Sequence, residues 1–217
     1  QIQLFEAMDW PSPTFAHIPL IHGPDGAKMS KRQGAVGAEA YRDMGFLPEA
    51  MQNYLLRLGW GHGDDEIIPL EQAVAWFDLS GVGKSPARFD MDKLTALNLH
   101  YMKQADDQRL ARLTAVHLEE VIGRPLGDDD IAVLARAMPS MKERAKTLVE
   151  LAQNATFLFR PRPLEFDAKA SKILNPDTSA LLLDLQPHLA ALDGWSADVL
   201  EAAVRAFAEE RELGLGK

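Results

Sequence analysis

No cysteine occurs among the 217 residues, so the chain can form neither a disulfide nor a thiolate metal site, which suits a reducing compartment. Long apolar runs are missing too. Nothing approaches the roughly 18 to 20 residues that cross a bilayer, and the first residues lack a basic stretch followed by a hydrophobic one. We therefore expect no membrane contact and a cytoplasmic location. Positive charge is also short: a net charge of −9 and a pI near 5.1 argue against a nucleic-acid coat spread over a uniformly basic surface. What is present is 47% apolar residues, enough to fill one large domain or two small ones. Charge is unevenly placed. Acids gather at Asp64, Asp65 and Glu66 and again at Asp128, Asp129 and Asp130, whereas Lys28, Lys31 and Arg32 stand together with no acid between them. Between residues 138 and 172 seven Lys and Arg face four Asp and Glu, so an acidic protein retains a side able to meet phosphates.

Proline and glycine punctuate the first half. Pro11 and Pro13 close an opening helix over residues 1 to 10, and a chain that starts at Gln1, already within a helix, reads as starting inside a larger protein. Phe15 to Ile21 reads as a strand broken by Pro19, which confines it to a sheet edge or bulge and leaves main-chain groups for a ligand. Gly23-Pro24-Asp25-Gly26 is turn chemistry, so the basic cluster after it sits on a loop. Leu47, Ala50, Met51, Tyr54, Leu55 and Leu58 form one helical stripe, opened by Pro48 and closed by Gly59.

Beyond Asp90 the pattern is helical. Stripes run from Leu110 to Val121, ended by Gly123; over Ile131 to Met138; and over Met141, Ala145, Leu148, Ala152, Ala155 and Phe159 after Pro139. Others follow at Leu181, Leu182 and Leu185, and at Leu200, Ala203, Val204 and Phe207 with Ser196 as N-cap. The expected fold is mainly α: a small α/β domain over residues 1–104, then an α-helical bundle over 105–217.

Chemistry concentrates in Lys28-Met29-Ser30-Lys31-Arg32, directly after the glycine-bearing turn. Ammonium groups on a loop can follow negative charge as it redistributes over a triphosphate, and they help most where they meet the transition state better than the ground state. An exposed basic turn is the plain alternative. The context decides between them. His17-Ile18-Pro19-Leu20-Ile21 leads into the turn and Gly34 follows the loop; Gly45-Phe46-Leu47-Pro48-Glu49-Ala50, Asn53-Tyr54-Leu55, Leu58-Gly59-Trp60, Phe77-Asp78-Leu79, Lys84-Ser85-Pro86-Ala87, Phe89-Asp90 and Lys93-Leu94 come after. This ordered series resembles the KMSKS loop of class I aminoacyl-tRNA synthetases and the stretches that follow it in the C-terminal portion of bacterial-type glutamyl-tRNA synthetases. It runs over most of residues 1–104 and more weakly through the helical half.

The resemblance implies that Lys31, with Lys28, contacts ATP phosphates and stabilises the transition state as glutamate displaces pyrophosphate. Ser30 and Arg32 would join them, Arg32 being similar to the glutamyl branch where other class I loops end in serine. Leu20 and Ile21 match positions whose main chain meets the adenine. By the same resemblance residues 1–104 form a stem-contact domain and residues 105–217 an anticodon-binding domain, shortened at its C-terminus. The partners are tRNA(Glu), with tRNA(Gln) left open, and ATP carrying Mg2+; no metal site on the protein itself is expected. Glutamate would be bound by an N-terminal domain not present here. The family's H-x-G-H-type motif does not occur in these 217 residues, so this chain alone is expected to lack synthetase activity.

Other signals carry less. Lys84-Ser85 ends a Gly81-Val82-Gly83 run similar to a P-loop, but Asp78 stands where its first glycine belongs and Pro86 where its helix begins. The resemblance makes Lys84 and Ser85 tRNA-facing instead. Arg160 and Arg162, alternating with Pro161 and Pro163, read equally as a rigid phosphate contact or a solvated linker. His62 with Asp64, Asp65 and Glu66 reads as a solvated acidic turn before a metal site, and Trp60, Trp76, Phe77 and Phe89 as core before base-stacking platforms. His100 and Tyr101 fit packing or a backbone tRNA contact. A stand-alone, non-catalytic tRNA-binding module is the alternative to a ligase fragment, and a helical protein-interaction domain the third reading.

Overall fold

The computed structural model describes residues 1–29, 37–166 and 168–214. In chain order the elements are α1 (Ile2–Ala7), β1 (Ile21–His22), α2 (Ala38–Asp43), α3 (Pro48–Gly59), α4 (Leu70–Trp76), β2 (Ala87–Arg88), α5 (Met91–Gln104), α6 (Asp107–Ile122), α7 (Asp128–Met141), α8 (Leu148–Ala155), α9 (Ala168–Ile173), α10 (Pro176–Ala190) and α11 (Ala197–Glu210). The architecture is mainly α, as the helical stripes predict, with one two-stranded parallel sheet in which Ile21 pairs with Ala87 and His22 with Arg88.

Residues 1–160 form one compact unit and residues 161–217 a second. In the first, Leu47, just ahead of α3, and Ala50 of α3 share an apolar core with Met102 of α5, Leu110 and Leu118 of α6, Leu134 and Met138 of α7, and Leu151 of α8. Each fully buried leucine contributes about 1.5–3 kcal/mol. A smaller cluster of Tyr41, Phe46, Tyr54, Phe89 and Leu94 lies behind the sheet, with the Tyr54 and Phe89 rings edge to face at 5.1 Å. Two buried amides tie these parts together. Asn98 accepts from the Leu47 N–H (2.8 Å) and donates to the Lys146 carbonyl (2.7 Å). Asn53 accepts from the Ile68 N–H (2.9 Å) and the Tyr101 hydroxyl (2.8 Å) and donates to the Glu66 carbonyl (3.0 Å).

Local signals place the helix ends. Pro48 occupies the first turn of α3, Gly123 closes α6 in the left-handed region at φ +72°, and the Ser196 hydroxyl accepts from the Val199 N–H at the start of α11. In the second unit Phe207 is buried and carries the Arg211 guanidinium 4.0 Å above its ring.

Two expectations are corrected. The strand predicted over Phe15 to Ile21 is confined to Ile21–His22, because Pro13 and Pro19 lack N–H donors and no described segment pairs with residues 11–19. The helix predicted from Met141 to Phe159 begins only at Leu148. The preceding helix α7 carries through Pro139 to Met141, the Lys146 carbonyl is taken by Asn98, and the chain restarts at Thr147, whose hydroxyl accepts from the Glu150 N–H (3.2 Å). The Glu150 carboxylate accepts in turn from the Lys146 N–H at 2.7 Å, close to a capping box.

Candidate functional site

The Gly23–Gly26 turn folds the chain after β1 back on itself. Gly26 adopts φ +79°, and its N–H reaches the Gly23 carbonyl at 3.0 Å. The Asp25 carboxylate accepts from the Ala27 N–H, and the Gly23 N–H donates to the Ala27 carbonyl at 2.8 Å. The Met29 N–H then donates to the Ile21 carbonyl at 3.0 Å, so Lys28 lies opposite His22 in an antiparallel bridge. Hence β1 has neighbours on both sides. Ala87 and Phe89 donate to the carbonyls of Leu20 and His22 on the other flank. The sheet-edge role predicted for this strand is thereby corrected, although the Leu20 N–H has no hydrogen-bond partner among the described residues.

Lys28 is exposed, and among the described residues it makes no ion pair. Ser30, Lys31 and Arg32 lie outside the described residues. Ile21 is half-buried and packs against the Tyr41–Phe89 cluster, whereas Leu20 is half exposed. Leu20 shares a cleft of about 700 Å3 with Lys84, walled by Ala16, Pro19, Phe77 and Val82. Two residues assigned to different ligands are thus brought together, and Ser85, next to Lys84 in the chain, is exposed. Arg160 and Arg162 are both exposed and fall on either side of the division between the two units.

The segment leading to β2 is shaped by Asp78 rather than by a P-loop helix. Its carboxylate accepts from the Ser80 N–H (2.7 Å), the Gly81 N–H (3.0 Å) and the Ser80 hydroxyl (2.6 Å), capping a single 3-10 turn over Leu79–Gly81. The Ser80 hydroxyl first, then the two amides, hold this carboxyl below its ordinary range. Trp60 is buried and donates from Nε1 to the Asp78 carbonyl at 2.9 Å. His62 stacks on Trp76 at 4.1 Å and meets the Asp65 carboxylate at 3.1 Å. Phe89 is core, whereas Phe77 is half exposed. Among the described residues no group of three or more His, Asp or Glu side chains could hold a metal ion. No described helix is long and apolar enough to cross a membrane.

Sequence pattern gives no sign of a second cleft, of about 560 Å3, lined by Arg57, Arg88, Lys93 and His100 with Glu66. Its members come from two separate stretches, residues 54–67 and 87–100, and meet only through the packing of α3, β2 and α5.

Comparison with known proteins agrees with this layout. Residues 94–217 match the family model described as an anticodon binding domain, and residues 1–96 match the catalytic domain of class I tRNA synthetases (E and Q). The chain is 56% identical over 220 residues to glutamate–tRNA ligase 1 of Sphingopyxis alaskensis and 57% over 218 residues to glutamate–tRNA ligase 2 of Rhizorhabdus wittichii. Each alignment covers 100% of this chain and 45% and 46% of the relative, so the chain spans less than half the length of these proteins. A crystal structure of a glutamate tRNA ligase from Elizabethkingia meningosepticum, in complex with its amino acid, superposes with a TM-score of 0.75 at 29% identity, covering 100% of this chain and 46% of that one.

Proposed function

The chain belongs to the anticodon-binding-domain family found in glutamate-type class I tRNA synthetases, and from that premise we propose that it forms part of a glutamate–tRNA ligase. That enzyme would join glutamate to tRNA(Glu) at the expense of ATP, through a glutamyl-adenylate, releasing pyrophosphate and then AMP. Lys31 and Lys28 meet the ATP phosphates with Ser30 and Arg32, and the main chain at Leu20 and Ile21 borders the adenine. The Leu20 and Ile21 carbonyls already serve the sheet and the return strand, which leaves the Leu20 N–H as the group for a ligand. Magnesium arrives on the ATP phosphates and is assigned no ligand in this chain.

The observation that carries this reading is the hairpin. Its turn leaves Lys28 exposed at the head of the Lys28–Arg32 run, bridged to a sheet whose other strand follows Lys84, Ser85 and Pro86. Lys84 and Ser85 are assigned to tRNA on the family resemblance, and Arg160 and Arg162 on charge; all four are exposed. The division of labour falls between residues 104 and 105, where α5 gives way to α6. The changeover of the two family matches at residues 94–96 supports it. It is a boundary of function lying within the compact unit 1–160.

The test uses the purified 217-residue chain. It is expected to bind a tRNA(Glu) transcript with an affinity that falls steeply with salt, as counterion release requires, and to show no glutamate-dependent ATP–pyrophosphate exchange, since no H-x-G-H motif lies in its sequence. Absence of tRNA binding at low salt, or exchange above background, would overturn the proposal.

A further inference from the structure

Arg57 of α3, Arg88 of β2, and Lys93 and His100 of α5 converge on one open cleft of about 560 Å3. Among the described residues none of the four takes part in an ion pair. The chain carries 32 Asp and Glu against 23 Lys and Arg, yet the one acid lining this cleft is Glu66. Arg57, Arg88 and Lys93 are three cations against that one acid; like charges in excess raise each other's energy, and an anion seated among them relieves it.

The walls are held in place. Leu58 and Leu97 form apolar lining and pack against the Tyr41–Phe89 cluster. The Glu66 carbonyl is fixed by the buried Asn53 amide at 3.0 Å. Lys93 and His100 are seven residues apart on α5, about 10 Å along the helix axis, so a single phosphate does not span the row from end to end. A strand of consecutive phosphates can, with its riboses over the apolar lining and the Arg57 and Arg88 forks available for paired contacts to phosphate oxygens. A carboxylate-rich peptide would bring a row of amide N–H donors, for which the lining offers Glu66 as its only acidic side chain.

We propose that this cleft is a second anion site, separate from the hairpin, and that it seats consecutive backbone phosphates of an RNA strand. The proposal rests on the tRNA-binding reading above and adds to it a place and four residues. It also puts the RNA next to the hairpin. Arg88 is the register partner of His22, which bridges Lys28, and a Cβ on Gly26 would lie 3.5 Å from the Arg88 guanidinium.

The experiment measures binding of a tRNA(Glu) transcript to the full 217-residue chain from 50 to 200 mM KCl, for the unmodified protein, for Arg57→Gln/Lys93→Gln and for Arg57→Lys/Lys93→Arg. Each phosphate contact contributes roughly 0.7 to 0.9 to the slope of log K against log salt. The Gln pair is therefore expected to lower the slope by about 1.4 to 1.8 and to reduce the affinity lost across that salt range by roughly tenfold. The charge-keeping pair should retain the original slope, which separates lost contacts from lost folding. If the unmodified chain binds tRNA and the Gln pair binds with the same slope, the cleft proposal is wrong while the broader reading stands. If the unmodified chain binds no tRNA, both fall. Competition by poly-glutamate that depends on Arg57 and Lys93 would make the cleft a peptide site and would equally overturn the proposal.

Discussion

Asn98→Ala isolates the buried amide that links three segments of the first unit. The side chain is fully buried, accepts from the Leu47 N–H at 2.8 Å and donates to the Lys146 carbonyl at 2.7 Å. Removing it strands a donor beside a residue that is itself fully buried, at about 1–3 kcal/mol, and an acceptor in a partly buried position, at about 1 kcal/mol. The lost volume adds up to about 1 kcal/mol at the rate found for cavities. The sum is about 2–5 kcal/mol, a large share of the roughly 5–15 kcal/mol that holds a typical protein folded. For a chain of this length that is a fall in Tm of roughly 4 to 20 °C. Thermal and urea unfolding followed by circular dichroism give the number, and hydrogen exchange at the Leu47 amide gives the site. Asn98→Asp is a sharper probe, because it keeps the acceptor for Leu47 and turns a carboxylate oxygen toward the Lys146 carbonyl. A loss below about 1 kcal/mol for Asn98→Ala would show that the node is not what joins α3, α5 and the approach to α8.

Two further outcomes follow from the same geometry. At Gly45, φ is +85° and an added Cβ would stand 2.7 Å from the Val149 nitrogen and 2.8 Å from the Leu148 nitrogen, both backbone atoms. Gly45→Ala should therefore cost at least about 2 kcal/mol in urea unfolding, more than the left-handed conformation alone; a near-neutral result would contradict the close approach of this corner to α8. For Asp78, whose carboxyl is held below its ordinary range by the Ser80 hydroxyl and the Ser80 and Gly81 amides, the folded value lies under the unfolded one. Its contribution is thus present above about pH 3.9 and lost as pH falls through the lowered folded value. An NMR titration of the Asp78 carboxyl carbon should have its midpoint below about 3.9, and a midpoint at or above that value would refute the capping account.

Much of the helical frame was readable because its signals are local. Pro48 and Gly59 bracket α3, the positive φ of Gly123 ends α6, and Ser196 caps α11. The turn at Gly23–Gly26 was readable for the same reason, whereas the return of the chain against Ile21, which makes a hairpin of the expected loop, was not. What was lost depends on distant partners. Residues 15–19 have strand-forming side chains but no strand beside them, since the chain is first held at Leu20, by Ala87, and on its other flank at Ile21, by Met29. The start of α8 was displaced because Asn98, from another helix, claims the Lys146 carbonyl. The cationic cleft was invisible because Arg57, Arg88, Lys93 and His100 share no spacing in sequence and meet only once β2 pairs with β1 beside α3 and α5.

The claim that the Lys28–Arg32 run acts on ATP phosphates is tested most directly by a chimera in which this chain replaces the matching segment of one of the glutamate–tRNA ligases it resembles. Glutamate-dependent ATP–pyrophosphate exchange is measured with and without Lys31→Ala. Loss of a group that meets charge developing in the transition state should lower kcat by about 100- to 1,000-fold with little change in the KM for ATP. An active chimera whose kcat is unaltered by Lys31→Ala would contradict the account.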